Sequence, residues 1–284
     1  MNLQRFSISQ VSAFALSLLL GVAASAVGTE VNEVEPNGTV NQTKTLFPGQ
    51  FGRGVITYMP LGADFLPEAD FWRVSVSTGG NLVFAYVDGS ESMNSGDTSL
   101  ELINFNFTTL EADLDDGPGP GAAIGGAVSS QSGILEVLVS GGVSSVNTTI
   151  DPYRLYQALI KPTESAPEQE ANNTFTTANN ITARMMTGNV SGADVDFYKV
   201  FVQSGLRLVV IMDDNPDKNP TNTDTELSIL NIDGTTVLAT GDNVGVGPLG
   251  AGDDNAAGSI IATTSGVYFI RVAHGGEAGA MDTD

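Results

Sequence analysis

Cysteine is absent from the chain, which removes disulfides, zinc–thiolate centres, thiol catalysis and cysteine-linked lipid from consideration. Basic residues are scarce. Lys and Arg total 11 against 33 Asp and Glu, for a net charge of −22 over 284 residues. Such a surface repels phosphate backbones and anionic lipid heads, so nucleic acid and membrane surfaces are disfavoured as partners and cations are favoured. Long hydrophobic runs are also missing beyond the N-terminus, so no membrane insertion is expected. Hydrophobic residues still make up 41%, enough for packed cores rather than general disorder. A secreted domain without disulfides must be held by its core or by metal.

The N-terminal segment has the features of a cleavable signal peptide. Arg5 supplies the positive start, Val11 to Ala24 is an apolar run, and Ala24-Ser25-Ala26 has the small-x-small pattern of a cleavage site. Residues 1–26 are therefore expected to be removed, leaving a protein that is secreted, extracellular or held at the cell surface.

The rest of the chain repeats itself. Glu35-Pro36-Asn37-Gly38-Thr39 matches Glu170-Ala171-Asn172-Asn173-Thr174, and Glu68-Ala69-Asp70-Phe71-Trp72-Arg73-Val74 matches Asp194-Val195-Asp196-Phe197-Tyr198-Lys199-Val200. Thr98-Ser99-Leu100-Glu101-Leu102 then matches Thr225-Glu226-Leu227-Ser228-Ile229, and Ser132-Gly133-Ile134-Leu135 matches Ser265-Gly266-Val267-Tyr268. Four blocks in one order indicate a duplication. Within the blocks apolar residues alternate, with Trp72, Val74 and Val76 on one face and Tyr198, Val200 and Val202 on the equivalent face. Short alternating runs between Gly, Asn and Asp clusters predict an all-β protein with one β-sandwich per copy. The expected organisation is a first sandwich over 27–161, a linker over 162–169 marked by Pro162 and Pro167, and a second sandwich over 170–284.

The string Glu-Pro-Asn-Gly-Thr, then Asp-x-Asp-Phe-Tyr, then Ser-Gly-x-Tyr-x-x-x-Val resembles the bacterial pre-peptidase C-terminal domain, in two tandem copies. The resemblance implies jelly-roll-like sandwiches without catalytic residues of their own. It also implies modules that often follow the catalytic part of secreted proteases. Some relatives in bacterial collagenases bind calcium and protein fibres. The first copy departs by carrying Glu68 where the second has Asp194, and by a longer insertion containing Asp64; the second has Ala171 in place of the proline.

Calcium takes six to eight hard oxygen ligands. The entry segments offer Glu33, Glu35 and Asn37 in the first copy and Glu168, Glu170 and Asn172 in the second, at alternate positions that face one way on an extended chain. The next block adds Glu68 and Asp70, or Asp194 and Asp196, again two apart. The resemblance makes these ten residues the counterparts of family calcium ligands, with Ca2+ in a structural role. The competing reading is that the acids only solvate a linker and a strand edge. Asp213 to Asp224 spaces its oxygens like an EF-hand loop, but Lys218 stands where the sharp turn needs glycine, so an acidic turn is expected. Asp113, Asp115, Asp116, Asp242, Asp253 and Asp254 are likewise expected in solvated turns.

No enzyme is expected. The one histidine, His274, sits beside Gly275 and Gly276 at a strand end, and no Gly-x-Ser-x-Gly elbow occurs. Gly117 to Gly126 lacks the lysine and the strand–helix context of a phosphate loop. Trp72 falls on the core face rather than on a sugar-stacking surface.

The duplication also exposes a gap. Tyr153 to Ile160 closes the first copy, whereas the second has no matching strand. A fragment missing its downstream part would explain this, as would a strand donated by a neighbouring subunit. The functional expectation is a non-catalytic, calcium-stabilised binding or structural accessory protein. It would present its sandwiches to an extracellular polymer or protein, or associate with itself through an open sheet edge. The alternative is the non-catalytic portion of a secreted protease or other hydrolase.

Overall fold

The computed structural model describes residues 14–20, 29–39, 41–61, 64–92, 98–113, 121–129, 132–141, 149–190, 194–213, 225–242 and 255–274. The protein is nearly all β, and no α-helix occurs among these residues. No helix among them is long and apolar enough to cross a membrane. Strand β1 is Phe14–Leu20. The first half follows with β2 (Thr29–Asn32), β3 (Lys44–Leu46), β4 (Gln50–Ile56), β5 (Tyr58–Leu61), β6 (Asp64–Pro67), β7 (Ala69–Val76) and β8 (Asn81–Asp88). It continues with β9 (Thr98–Ile103), β10 (Thr109–Asp113), β11 (Ala123–Ser129), β12 (Gly133–Gly141) and β13 (Ile150–Ile160). After a turn at Pro162–Glu164, the second half has β14 (Ser165–Pro167), β15 (Asn179–Asn180), β16 (Met185–Gly188), β17 (Val195–Val202) and β18 (Arg207–Asp213). It ends with β19 (Thr225–Leu230), β20 (Val237–Asp242), β21 (Asn255–Ile261) and β22 (Gly266–His274).

The halves repeat one strand order. The first pairs β10-β9-β12-β7-β3 in one sheet and β11-β8-β13-β4-β2 in the other; the second pairs β20-β19-β22-β17-β15 and β21-β18-β1-β16-β14. Position by position the orders coincide, with β1 standing where β13 stands. The hairpin β5–β6 is an insertion of the first half. In each half the two sheets enclose one apolar core. Trp72, Val74, Leu102 and Val137 meet Val83, Val87, Ile124 and Leu155 in the first, and Tyr198, Val200, Ile229 and Ile270 meet Leu208, Val210 and Ala256 in the second. The alternation explains the facing: β7 and β17 bury every second residue in the same phase.

Three expectations are revised. The stretch 162–169 is not a free linker, because Ser165–Pro167 pairs with β16 as an edge strand, a place where proline is tolerated. Asp113 is buried rather than solvated, and its Oδ2 accepts a hydrogen bond from the Ala123 amide at 2.5 Å. The last strand of the second half is supplied by β1, antiparallel to β16 and to β18. Residues 214–224, Asp115, Asp116, Asp253, Asp254 and 275–284 lie outside the described residues.

The halves pack on each other through a third apolar cluster. Phe84, Tyr86, Ala123, Ala158 and Ile160 of the first half meet Met185, Val209, Ile211 and Ala257 of the second. This is why β8 is buried along nearly its whole length rather than at alternate residues. Arg207 crosses the seam to Asp88, Nη1 to Oδ2 at 2.6 Å, with its guanidinium 5.8 Å above the Tyr156 ring. Gly126, at φ +74°, lies so close to the Asp213 carboxylate that any Cβ there would collide with it.

Candidate metal centres

In the first half β2 runs parallel to β4, and the pairing continues one residue further, where the Glu33 amide donates to the Arg53 carbonyl at 3.0 Å. That delivers the Glu33 carboxylate over β4, where Oε1 accepts from the Val55 amide at 2.6 Å. The chain then turns back on itself. The Asn37 amide donates to Glu35 Oε2 at 3.1 Å, its side chain donates to Glu33 Oε2 at 3.0 Å, and its carbonyl accepts from the Phe71 amide at 3.2 Å. The last of these bonds fastens the entry segment to β7, beside Asp70. Asp70 shares the inward face with Trp72 and is fully buried. Its Oδ2 accepts from the Tyr153 hydroxyl at 2.6 Å, and that hydroxyl accepts from Trp72 Nε1 at 2.8 Å.

The second half repeats the arrangement. The Glu168 amide donates to the Thr187 carbonyl at 2.8 Å, Glu168 Oε1 accepts from the Asn189 amide at 2.5 Å, and the Phe197 amide donates to the Asn172 carbonyl at 2.9 Å. The Asn172 amide group, oriented to satisfy its neighbours, donates to Glu170 Oε2 at 3.2 Å and Asp196 Oδ1 at 2.8 Å, and accepts from Asn179 Nδ2 at 2.9 Å. The hydroxyl comes from a different strand. Tyr198, on β17, donates to Glu168 Oε2 at 2.6 Å.

Glu33, Glu35 and Asp70 therefore converge, as do Glu168, Glu170 and Asp196, with one carboxylate oxygen from each lying within 4.8 Å of the others. Calcium–oxygen distances of about 2.3–2.6 Å put ligands on opposite sides of one ion roughly 4.6–5.2 Å apart, so each trio fits one coordination sphere. Each trio grades from a fully buried Asp through a half-buried Glu to an exposed one, which leaves a mouth for solvent. Asp70 Oδ1, Asn37 Oδ1 and Asp196 Oδ2 are buried with no hydrogen-bond partner. Such oxygens are costly unless something positive meets them.

The electrostatics agree. Burial, with the neighbouring Glu33 charge, pushes Asp70 up to about 9, even though the Tyr153 hydrogen bond pulls the other way. Burial and then the charges of Glu168 and Asp194 push Asp196 up to about 8. Glu33, Glu35 and Glu170 are raised as well, burial being the largest cause in each. Three carboxyls held this close without a cation favour the protonated form.

Glu68 and Asp194 stand outside the two 4.8 Å trios, Glu68 within side-chain hydrogen-bonding reach of Glu35. Glu68 Oε2 accepts from the Thr57 amide at 3.2 Å and from the Thr57 hydroxyl, and Asp194 Oδ1 accepts from Asn173 Nδ2 at 2.6 Å. They still act on the mouth, since their charges raise Glu35 and Glu170 respectively. Asn37 and Asn172 turn their NH2 groups toward the carboxylates, and Asn37 keeps its Oδ1 buried and without a hydrogen-bond partner. Sequence reasoning missed Tyr153 and the glycines Gly54 and Gly188. A Cβ at Gly54 would strike Glu33 Oε2 and the Tyr153 hydroxyl, and one at Gly188 would strike the Glu168 carboxylate. Glycine inside a strand is itself the signal for such a close approach.

Elsewhere, His274 ends β22 opposite Thr225, and Trp72 is fully buried and so offers no stacking surface. The outer face of β17 and β22 carries exposed Phe201 and Val267, with Phe175 edge-on to Phe269 at 5.8 Å, beside Lys199 and the Arg271–Glu226 ion pair. No protein-family model matches the chain, and no curated protein matches it.

Proposed function

We propose that each half is a jelly-roll-like β-sandwich of the pre-peptidase C-terminal type that binds one structural Ca2+, within a secreted, non-catalytic binding or structural accessory protein. The first module spans 27–161, and the second begins at Ser165, because its first ligand, Glu168, follows β14. Glu33, Glu35 and Asp70 hold one ion, and Glu168, Glu170 and Asp196 hold the other, with water completing each shell at the exposed glutamate. The observation that carries this reading is a fully buried aspartate with an unpartnered oxygen, facing two further carboxylates, at equivalent places in both halves.

An all-oxygen donor set with neither histidine nor thiolate suits a hard cation. Multiple carboxylates suit calcium better than magnesium, which keeps most of its waters in a strict octahedron. The ion ties the chain's entry into each module to the start of its central strand, which locks the fold. The exposed aromatic face of β17 and β22 is the contact surface offered to an extracellular polymer or protein. Isothermal titration calorimetry of the full chain should give two calcium ions bound per chain, with magnesium much weaker. Absence of any calcium heat, or binding unaffected by the pair Asp70→Asn and Asp196→Asn, would remove the metal assignment.

A further inference from the structure

In the first half the strand between β4 and β8 is β13, which follows β12 in the chain. In the second half the same place, between β16 and β18, is held by β1, which precedes the whole first half in sequence. β1 is antiparallel to both neighbours, as β13 is to its own. Its register sets Leu16 beside Met186 and Met212, Leu18 beside Val210, and Leu20 beside Leu208. The walls of this seat are apolar on both faces. Met186, Leu208, Val210 and Met212 are buried in the core of the second half, while Met185, Val209 and Ile211 are buried against the first. A strand covered on both faces needs a nearly continuous apolar run, and Phe14-Ala15-Leu16-Ser17-Leu18-Leu19-Leu20 is one. An empty seat would leave two rows of backbone N–H and C=O groups, on β16 and β18, without partners in an apolar zone.

We infer that the groove between β16 and β18 is a strand-binding site and that Phe14–Leu20 is its ligand, held by backbone pairing rather than by its connection to β2. The second half folds as an acceptor for an apolar, antiparallel strand of seven residues. Cleavage after Ala26, which the sequence leads one to expect, falls between β1 and β2. It would turn the donor into a separate peptide without touching any pairing of the seat.

The test is to place a protease site within residues 21–28 of the full chain, cut it, and follow the fragments by size exclusion and mass spectrometry. One N-terminal fragment per chain should co-elute with the body until denaturant is added. A labelled peptide carrying Phe14–Leu20 should exchange into the seat. Leu16→Pro, which removes an N–H from the middle of the seat, should lower retention at least tenfold. In the uncut chain, hydrogen exchange should protect 14–20, 185–188 and 208–213 as one unit. Rapid exchange there, or loss of the fragment from a body that stays monomeric with unaltered unfolding, would overturn the inference. Loss of the fragment with association of the bodies would show a second copy filling the seat, and would overturn Phe14–Leu20 as its ligand.

Discussion

Asp70→Asn should stabilise the protein in chelator and abolish its stabilisation by calcium. Asparagine keeps the shape of the side chain, and its Oδ1 still accepts from the Tyr153 hydroxyl. Its NH2 replaces the unpartnered Oδ1 of the wild type and can donate to Glu33. Two estimates set the size of the gain. Ionised Glu33 and Asp70, with oxygens within 4.8 Å, repel by roughly 3.5 kcal/mol at an effective dielectric of about 20. Alternatively, Asp70 escapes repulsion by holding a proton at pH 7, although its ordinary value is 3.8 and burial lifts it to about 9 in the fold. Holding that proton costs about 4 kcal/mol. Removing the charge should therefore return about 2–4 kcal/mol, or roughly 5–15 °C in midpoint. Calcium at a hundred times its dissociation constant adds about 2.7 kcal/mol per site to the wild type, and the variant should lose that increment at the first site. Differential scanning calorimetry of both proteins, in chelator and in calcium, measures all four midpoints. A variant less stable than wild type in chelator would refute the reasoning.

The same groups set the pH dependence. Because Asp70 and Asp196 are raised in the folded state, their contribution to stability is fully present below about pH 4. It is lost as pH climbs through about 8 and 9. In chelator the midpoint should thus rise on going from pH 9 to pH 5, while calcium affinity falls over the same range; a chelated midpoint flat across that window would contradict the assignment. Tyr153→Phe removes the donor to Asp70 and the acceptor for Trp72, and should cost about 1–3 kcal/mol. By titration calorimetry it should weaken the first calcium site and leave the second intact, since Tyr198 serves there. Gly54→Ala should disable the first site through collision with Glu33 and Tyr153, read as loss of one calcium per chain. Arg207→Ala strips the partner from buried Asp88 and should destabilise the seam by about 3–5 kcal/mol, splitting one calorimetric transition into two.

Much of the site was legible because it is written twice. The spacing of Asp70 before Trp72 and of Asp196 before Tyr198 places an acid on the core face of each central strand, and that is where both lie. Glu33 and Glu168 were legible from alternation in the entry segment together with the family resemblance. What alternation could not convey is hydrogen-bond direction: the NH2 groups of Asn37 and Asn172 donate to the carboxylates, while Asn37 Oδ1 is left buried without a hydrogen-bond partner. Pro162 and Pro167 suggest a linker because proline is excluded from central strands; an edge strand tolerates it, and Ser165–Pro167 is an edge strand. The seam between halves was overlooked although Leu82 to Val87 and Leu208 to Met212 are continuous apolar runs, the pattern of a strand covered on both faces. That pattern is also why Phe14–Leu20 reads as a leader: an apolar run suits export and a doubly buried strand equally, and sequence alone does not separate them.

Crystals grown in calcium and measured for anomalous scattering test the central claim most directly. Two peaks are predicted, one among Glu33, Glu35 and Asp70 and one among Glu168, Glu170 and Asp196, with carboxylate oxygens about 2.3–2.6 Å away. Density at neither place, or ions held only on surface carboxylates outside the two trios, would contradict the account.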